Sequence, residues 1–288
     1  MSRIPSRARS LWVALLATSA ALTSGCSVDS AKNHYVLAEK LWADGRYQAA
    51  VVEFGKVVKK DPSGPLGLQA LIRSATTERL FLKNQRGALS KFQQYLRLAG
   101  DSKDSLAIER QVGDLLFEEL GEDGESIQHY EAMLARHPAD PQRPEYLFRV
   151  ARSYFFLWKF PEAVAAYKKI LKEYPGTVWS ERAAFEIGLT YFTSGGHRAG
   201  DRPIAESSQA YSKALSAYEA FLSAYPKSPL ASRALYGIAS CYEEMDQLDL
   251  AYKKYQEILP SYPSPNVIRI KLARIQERLA RRGTDKGN

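Results

Sequence analysis

A small residue followed four positions later by an aromatic residue recurs six times along this 288-residue chain. The aromatic members are separated by 38, 38, 37, 51 and 37 residues, which is one period with a single 14-residue insertion. Residues i and i+4 share one face of an α-helix, so the small side chain admits a neighbouring helix and the ring fills the groove beside it. The spacing predicts a repeat array. The pairs are Ala50/Phe54, Ala88/Phe92, Ser126/Tyr130, Ala163/Tyr167, Ala214/Tyr218 and Ala251/Tyr255.

Two further patterns define the repeat. Five of the six aromatic residues are followed eight positions later by a proline, which ends a helix. An apolar, a small and a bulky residue precede the pair in four repeats, as in Val150-Ala151 with Tyr154 and Ile187-Gly188 with Tyr191. In three repeats the two small positions are 12 residues apart, which leaves room for two helices and a tight turn. Each repeat is therefore predicted to be an αα-hairpin. The prolines are Pro62, Pro138, Pro175, Pro226 and Pro263.

These residues resemble the tetratricopeptide repeat over roughly residues 31–264. The resemblance implies an all-α fold, an α-solenoid of about six helix-turn-helix repeats with a C-terminal capping helix. An all-α bundle with chance periodicity is the alternative. The second repeat departs most, with Thr76 and Arg79 at the small and aromatic positions and Gly100 in place of proline. The solenoid, 34–282, divides into repeats at about 31–64, 65–102, 103–140, 141–177, 178–228 and 229–264.

The C-terminal segment reads as a cap, because terminal repeats of a solenoid need a polar outer face. Residues 265–282 carry a narrow apolar stripe on an otherwise charged helix. Residues 283–288 are predicted to be a disordered tail. The excess positive charge of the chain after residue 25 lies in this C-terminal segment, where it suits the helix dipole or, alternatively, docks on an acidic partner. The stripe consists of Ile268, Leu272, Ile275 and Leu279.

The N-terminus predicts export. Three arginines precede an apolar run from Leu11 to Leu22 that is too short to span a membrane, so residues 1–25 read as a signal peptide. The sequence up to Cys26 resembles a bacterial lipobox, with Thr23 where leucine is usual. That resemblance implies a Cys26 bearing fatty acyl chains such as palmitate, a short tether over 26–33 and the periplasmic side of the outer membrane. An ordinary signal peptide that contains a cysteine is the alternative.

Catalytic chemistry is not indicated. The four histidines do not have metal-ligand spacing, and the chain has no Gly-rich phosphate loop or nucleophile elbow. The cluster Glu118, Glu119, Glu122 and Asp123 fits an exposed acidic turn better than an acid/base pair. Cys241 reads as a small buried residue. We therefore predict no enzymatic activity, no cofactor and no metal, and an exported, tethered chain without a basic groove motif is not expected to bind nucleic acid.

Binding residues follow from the repeat register that the resemblance supplies, in which the first helix of each hairpin lines the concave face. The fifth position of the repeat is aromatic in four repeats, and arginines flank it, a composition typical of protein-binding hot spots. Packing of that position between adjacent helices is the alternative. The predicted partner-binding residues are Tyr35, Glu39, Trp42, Phe148, Arg152, Phe155, Arg182, Phe185, Phe192, Arg233 and Tyr236, with Glu243 beside them.

The joints between repeats resemble one family in particular. Tyr174-Pro175-Gly176-Thr177 and Tyr225-Pro226-Lys227-Ser228 are similar to the Y-P-x-S/T-x-x-A joints of the BamD family of the β-barrel assembly machine. The insertion after Gly188-Leu189-Thr190 also stands where that family has one, although its members have five repeats.

This resemblance implies a non-enzymatic outer-membrane lipoprotein that assists insertion of β-barrel proteins. It would bind BamA-like subunits and unfolded outer-membrane protein segments. The alternatives are a pilotin for a secretin and a coordinator of cell-wall synthesis. The insertion, residues 193–208, is a further candidate for binding because insertions on one face of an array often bind partners.

Overall fold

The computed structural model describes residues 30–197 and 204–285, and within them every regular element is a helix. The predicted all-α fold is confirmed. The helices are α1 (30–43), α2 (Tyr47–Lys60), α3 (Pro65–Leu80), α4 (Gln85–Ala99), α5 (Ser105–Asp114), α6 (Asp123–Arg136), α7 (Arg143–Phe156), α8 (Phe160–Glu173), α9 (Val178–Gly196), α10 (Ile204–Ala224), α11 (Ala231–Glu244), α12 (Leu248–Ile258) and α13 (Pro265–Asp285), and a five-residue π-helix, Leu115–Glu119, follows α5.

The chain divides into two compact units, Met1–Glu122 and Asp123–Asn288. In the first, α2, α3, α4 and α5 pack one against the next along the chain. In the second, α6 to α13 do the same, and the first helices of successive hairpins also touch, α7 with α9 and α9 with α11. In an α-solenoid each helix packs mainly against the helices next to it along the chain, so the buried side chains form a continuous ribbon.

The small-aromatic pairs form the core of the hairpins. They lie on the second helices, α2, α4, α6, α8, α10 and α12, and all twelve side chains are at most 2% exposed. Tyr218 shows the geometry most clearly, because its ring lies between two glycines. A Cβ added at Gly188 of α9 or at Gly237 of α11 would stand 2.6 Å or 2.5 Å from that ring. The ring therefore fixes the separation of two consecutive first helices.

The tight turn inside each described hairpin contains one residue in the left-handed region. The residues are Gly45, Lys83, Gly121, Trp158 and Asp246, with φ between 53° and 74°, and they recur with the same period as the aromatic pairs. Glycine adopts this conformation without strain, whereas a bulky side chain there is unusual. Trp158 keeps its ring half exposed and stacks it on His197, with centroids 4.0 Å apart.

The second hairpin forms although its consensus is the weakest. Its polar residues compensate, since the buried Glu78 carboxylate accepts a hydrogen bond from Lys91 Nζ at 2.6 Å. At the joint that lacks proline, Gly100 turns the chain with φ 56°, and Ser105 Oγ donates to its carbonyl at 2.5 Å. A glycine and a serine thus end α4 where other repeats use proline.

The two Tyr-Pro joints connect successive hairpins by side-chain hydrogen bonds. Thr177 Oγ1 caps α9 by accepting from the Ser180 amide at 3.1 Å. Ser228 Oγ, in the next joint, donates to Glu181 Oε1 at 2.5 Å. The second bond ties the start of α9 to the joint that precedes α11.

The 14-residue insertion lengthens two helices. α9 has 19 residues and α10 has 21, compared with 14 in α7, α8 and α11. Residues 198–203, the middle of the predicted insertion 193–208, lie outside the described residues. A cavity of about 660 Å³ lies beside the lengthened ends and includes Trp158, Phe160, Tyr191 and Lys213 in its lining. Whether the insertion binds a partner stays a prediction.

The cap forms as predicted, with Ile268 and Ile275 fully buried and Leu272 and Leu279 packed beside them. α13 continues to Asp285, and disorder of the tail 283–288 stays a prediction. Arg278 and Arg282 both donate to Asp246 in the turn before α12, which holds the last turns of α13 in place. Residues 286–288 lie outside the described residues.

The N-terminal predictions also fall outside the described residues. The signal peptide 1–25, Cys26 and residues 27–29 of the predicted tether precede residue 30, where the description begins, whereas residues 30–33 of the predicted tether belong to α1. Among the described helices none combines the length and apolarity needed to cross a bilayer.

We expect larger side chains to destabilise the protein at buried positions of the repeat core but not at exposed positions of the same helix. Ala163→Leu on α8 should destabilise the second compact unit by about 1–3 kcal/mol, because the fully buried methyl group leaves no room for a larger side chain. Ala165 lies on the same helix and is exposed, so Ala165→Leu is the matched control and should change stability little. Urea unfolding followed by circular dichroism measures both; equal midpoints for the two variants would contradict this account.

Candidate protein-binding face

On α1, the predicted binding residues are already engaged within the chain, two of them by Arg73 of α3. Arg73 Nε and Nη2 donate to the two Glu39 carboxylate oxygens at 2.8 and 2.6 Å. The same guanidinium lies 4.6 Å from the Trp42 ring centroid, and Tyr35 packs edge-on against Phe54. The hydrogen bonds to Glu39 raise the pKa of Arg73, and burial raises that of Tyr35. This arginine has both a ring and a carboxylate, so it has little capacity left for a partner.

On α7, α9 and α11 the three predicted binding arginines contact rings but pair with no carboxylate in the described residues. Arg182 lies 5.1 Å from the Trp179 centroid and Arg233 lies 4.9 Å from that of Phe185. Arg152 lies 5.1 Å from the centroid of Phe156. Within the described residues, none of these three guanidinium groups makes a hydrogen bond or an ion pair. Stacking restricts each side chain while its N–H donors remain available, as in binding sites for planar anions.

Glu186 of α9 lies among these three arginines. It stands one helical turn after Arg182, and Arg152 and Arg233 on the neighbouring first helices also act on its charge. Burial raises the pKa of this carboxyl despite the opposing effect of the arginines. No hydrogen bond or ion pair to the carboxylate is found in the described part of the chain. We call Arg152, Arg182, Arg233 and Glu186 the Glu186 face.

A second unsatisfied polar group lies next to this face. The Tyr167 hydroxyl is fully buried and, among the described residues, has no hydrogen-bond partner. Burial raises the pKa of Tyr167 far above its ordinary value, and the charge of Glu186 adds to the effect. In the preceding repeat the equivalent hydroxyl, that of Tyr130, accepts a hydrogen bond from Arg149 Nη1 at 2.7 Å. Glu186 occupies the register position of Arg149 but does not bond to Tyr167.

Several predicted binding residues instead belong to the core. Phe148 and Phe185 are 6% and 3% exposed, so their rings cannot contact a partner in the folded protein. Packing of this position between adjacent helices, the alternative considered from the sequence, holds for both. Phe155, Phe192 and Tyr236 are half buried, against Phe160, Tyr211 and Tyr255.

Three cations of the basic cap form ion pairs within the chain. Lys271 Nζ donates to Glu243 Oε2 at 3.0 Å, and that carboxylate also accepts from Tyr255 Oη at 3.1 Å. Asp246 pairs with Arg278 and Arg282. The arginine hydrogen bonds lower the pKa of Asp246. These contacts favour a structural role for the cap cations over docking on an acidic partner.

Other candidate chemistry is accounted for by structure. In the acidic turn, Glu119 and Glu122 pair with Arg79 and Arg86 at 2.6 and 2.5 Å. Cys241 is a buried free thiol, and burial raises its pKa to about 12. No group of three His, Cys, Asp or Glu side chains within the described ranges could hold a metal ion.

Comparison with known proteins supports the repeat assignment. Models of the tetratricopeptide repeat match residues 145–177 and 205–264, so the chain contains tetratricopeptide repeats. Proteins with this fold typically bind other proteins. A search of curated protein sequences finds no significant match.

Solved structures show the same fold at low sequence identity. The C-terminal part of a repeat-containing protein from Cytophaga hutchinsonii is 19% identical, with 88% of each chain covered and a TM-score of 0.55. A tetratricopeptide repeat protein from Parabacteroides merdae is 17% identical, over 86% of this chain and 88% of that one, with a TM-score of 0.51. At these identities the likeness concerns the fold alone. PilW, a type IV pilus biogenesis factor, is 18% identical over 83% of this chain and 98% of that one, with a TM-score of 0.49.

The sequence identifies Arg152, Arg182 and Arg233 as binding residues, but it does not indicate the roles of Arg73, Glu186 and Tyr167. The sequence does not indicate that Arg73 pairs with Glu39, or that Glu186 and Tyr167 have no hydrogen-bond partner in the described residues. The register contained a signal for Glu186, because it lies four residues after Arg182 and takes the place of Arg149 in the preceding repeat. The missing hydrogen bonds have no sequence signal.

The raised pKa of Glu186 predicts a pH-dependent stability difference. Above the unfolded value of about 4.3, the unfolded chain loses this proton more readily than the folded chain, so stability falls as pH rises towards the raised folded pKa. Glu186→Gln stays neutral, so the melting temperature of the wild type relative to this variant should fall across that window. Glu219, exposed on α10, provides the control substitution Glu219→Gln. A difference between wild type and Glu186→Gln that does not vary with pH would contradict the assignment.

Proposed function

We propose that this protein is a non-enzymatic scaffold of the BamD type, an outer-membrane lipoprotein that faces the periplasm and assists insertion of β-barrel proteins. The tetratricopeptide repeats support the scaffold part, since such repeats serve to bind other proteins. The Tyr-Pro joints and the position of the insertion support the BamD part. Partners would be BamA-like subunits and unfolded segments of outer-membrane proteins.

The observation that carries the proposal is the Glu186 face. Three arginines on successive first helices are held against aromatic rings with their donors unused, whereas Arg73 in the first compact unit already binds Glu39. Interfaces are enriched in arginine and aromatic residues, which carry much of the binding energy. The second compact unit therefore offers a surface prepared for a protein partner.

The location is proposed on the N-terminal sequence. A basic stretch, a short apolar run and Cys26 fit a cleaved lipoprotein signal. Multiple acyl chains on one cysteine would anchor the protein stably, because each buried methylene contributes about 0.8 kcal/mol. The tether to α1 is short, so the first hairpin would stay close to the bilayer.

Affinity purification from membranes tests this proposal. The tagged protein from its native host should co-purify with BamA and other barrel-assembly subunits, identified by mass spectrometry. Cys26→Ser should abolish membrane retention while leaving the folded repeats unchanged by circular dichroism. Recovery of a secretin would establish the pilotin alternative, and recovery of a cell-wall synthase the coordinator alternative; either result would overturn the barrel-assembly role.

A further inference from the structure

Several polar groups without a hydrogen-bond partner in the described residues lie in and next to the Glu186 face. A partly buried carboxylate, a fully buried tyrosine hydroxyl and three arginines lie together without a hydrogen bond among them in the described residues. Each buried polar group without a partner costs free energy, so folded proteins normally satisfy nearly all of them. The repeat before it meets the same requirement internally, through Arg149 and Tyr130. The N–H donors of Arg152, Arg182 and Arg233 are therefore the part of this face that remains available to a group from outside the chain.

The chemistry of that group follows from the donors. Guanidinium groups are planar forks whose paired N–H donors match the two oxygens of a carboxylate. With Glu186 ionised, three positive charges and one negative charge remain, so the face favours an anion. Arg182 and Arg233 are exposed and lie on neighbouring helices, with the ring of Trp179 half buried beside Arg182. A peptide supplies both carboxylates and apolar contacts to such rings.

A bound carboxylate would change the protonation of Glu186. The groups that act on Glu186, and those on which it acts, come from five helices: Arg152 from α7, Tyr167 from α8, Arg182 from α9, Tyr218 from α10 and Arg233 from α11. The arginines are the cationic groups among them, so a second anion would draw on the charges that stabilise ionised Glu186. Two carboxylates at one site cannot easily both ionise, and one then holds a proton.

We propose that the Glu186 face binds an acidic segment of a partner protein and that Glu186 takes up a proton from solvent when the segment binds. This deepens the proposed scaffold function and rests on it, because it names the chemistry of the bound partner. Arg182 and Arg233 hold the carboxylates of the segment. Glu186 in its ionised form competes for the same arginines, so it weakens binding as pH rises.

Fluorescence anisotropy of the full-length protein with a labelled peptide of alternating Glu and Ser tests this inference. Affinity should rise as pH falls from about 8 to about 5, while the peptide remains ionised. Arg182→Gln and Arg233→Gln should each weaken binding about tenfold, the usual effect of losing one charge-assisted hydrogen bond. Glu186→Gln should bind more tightly at neutral pH and lose most of the pH dependence. A peptide with Gln in place of Glu should not bind.

Controls keep the outcomes distinct. Arg97 is exposed on α4 and makes no ion pair within the described residues, so Arg97→Gln removes an arginine without touching the face. Circular dichroism confirms that each variant folds, and Arg182→Lys should restore part of the affinity because charge returns without the planar fork. Equal binding of the Glu and Gln peptides, or a pH dependence that persists in Glu186→Gln, would overturn the inference.

Failure of the inference is separable from failure of the proposed function. If BamA-like subunits co-purify equally with the wild type and with the Arg182→Gln and Arg233→Gln variants, the protein is a barrel-assembly scaffold whose partner lies on another surface. If the acidic peptide binds as described but only unrelated proteins co-purify, the face is an acidic-segment site in a scaffold of different function.

Discussion

The packing of one buried ring on each second helix against small residues of the first helices determines the rest of this structure. The ring of Tyr218 lies against Gly188 and Gly237. Only glycine leaves room for the ring at these two positions, since a Cβ at either would lie within 2.6 Å of a Tyr218 ring atom. This contact sets the distance between successive first helices. Their outward positions therefore form a regular surface, and Arg152, Arg182 and Arg233 come to lie around one carboxylate.

The same register serves different purposes along the chain. At one position of the first helix the residue faces the aromatic ring of the preceding hairpin: Arg149 bonds to Tyr130, Gly237 packs on Tyr218, and Glu186 faces Tyr167 without bonding to it. Arg149 provides a hydrogen bond to the Tyr130 hydroxyl, and Gly237 allows close packing on the Tyr218 ring. Glu186 and the Tyr167 hydroxyl are both left without a hydrogen bond in the described residues, which costs stability. Such a cost is typical of functional sites.

The two compact units differ in how their arginines are used. In the first, Arg73 is committed to Glu39 and Trp42, and Arg79 and Arg86 to the acidic turn. In the second, Lys271, Arg278 and Arg282 of the cap are paired with Glu243 or Asp246, but within the described residues the arginines of the Glu186 face are not paired. Ion pairs within the chain reduce the charge available to partners, whereas the ring-stacked Arg152, Arg182 and Arg233 on α7, α9 and α11 retain theirs.

The sequence by itself determined the helical repeats, their period, the core pairs and the capping stripe, because spacing along a helix directly fixes which side chains share a face. It also placed the three arginines on the first helices. Only the tertiary structure decided which predicted residues remain accessible: Phe148 and Phe185 are buried, and Glu39 is occupied by Arg73. Those outcomes depend on contacts between helices far apart in sequence, and the period does not encode which charged side chains find a partner.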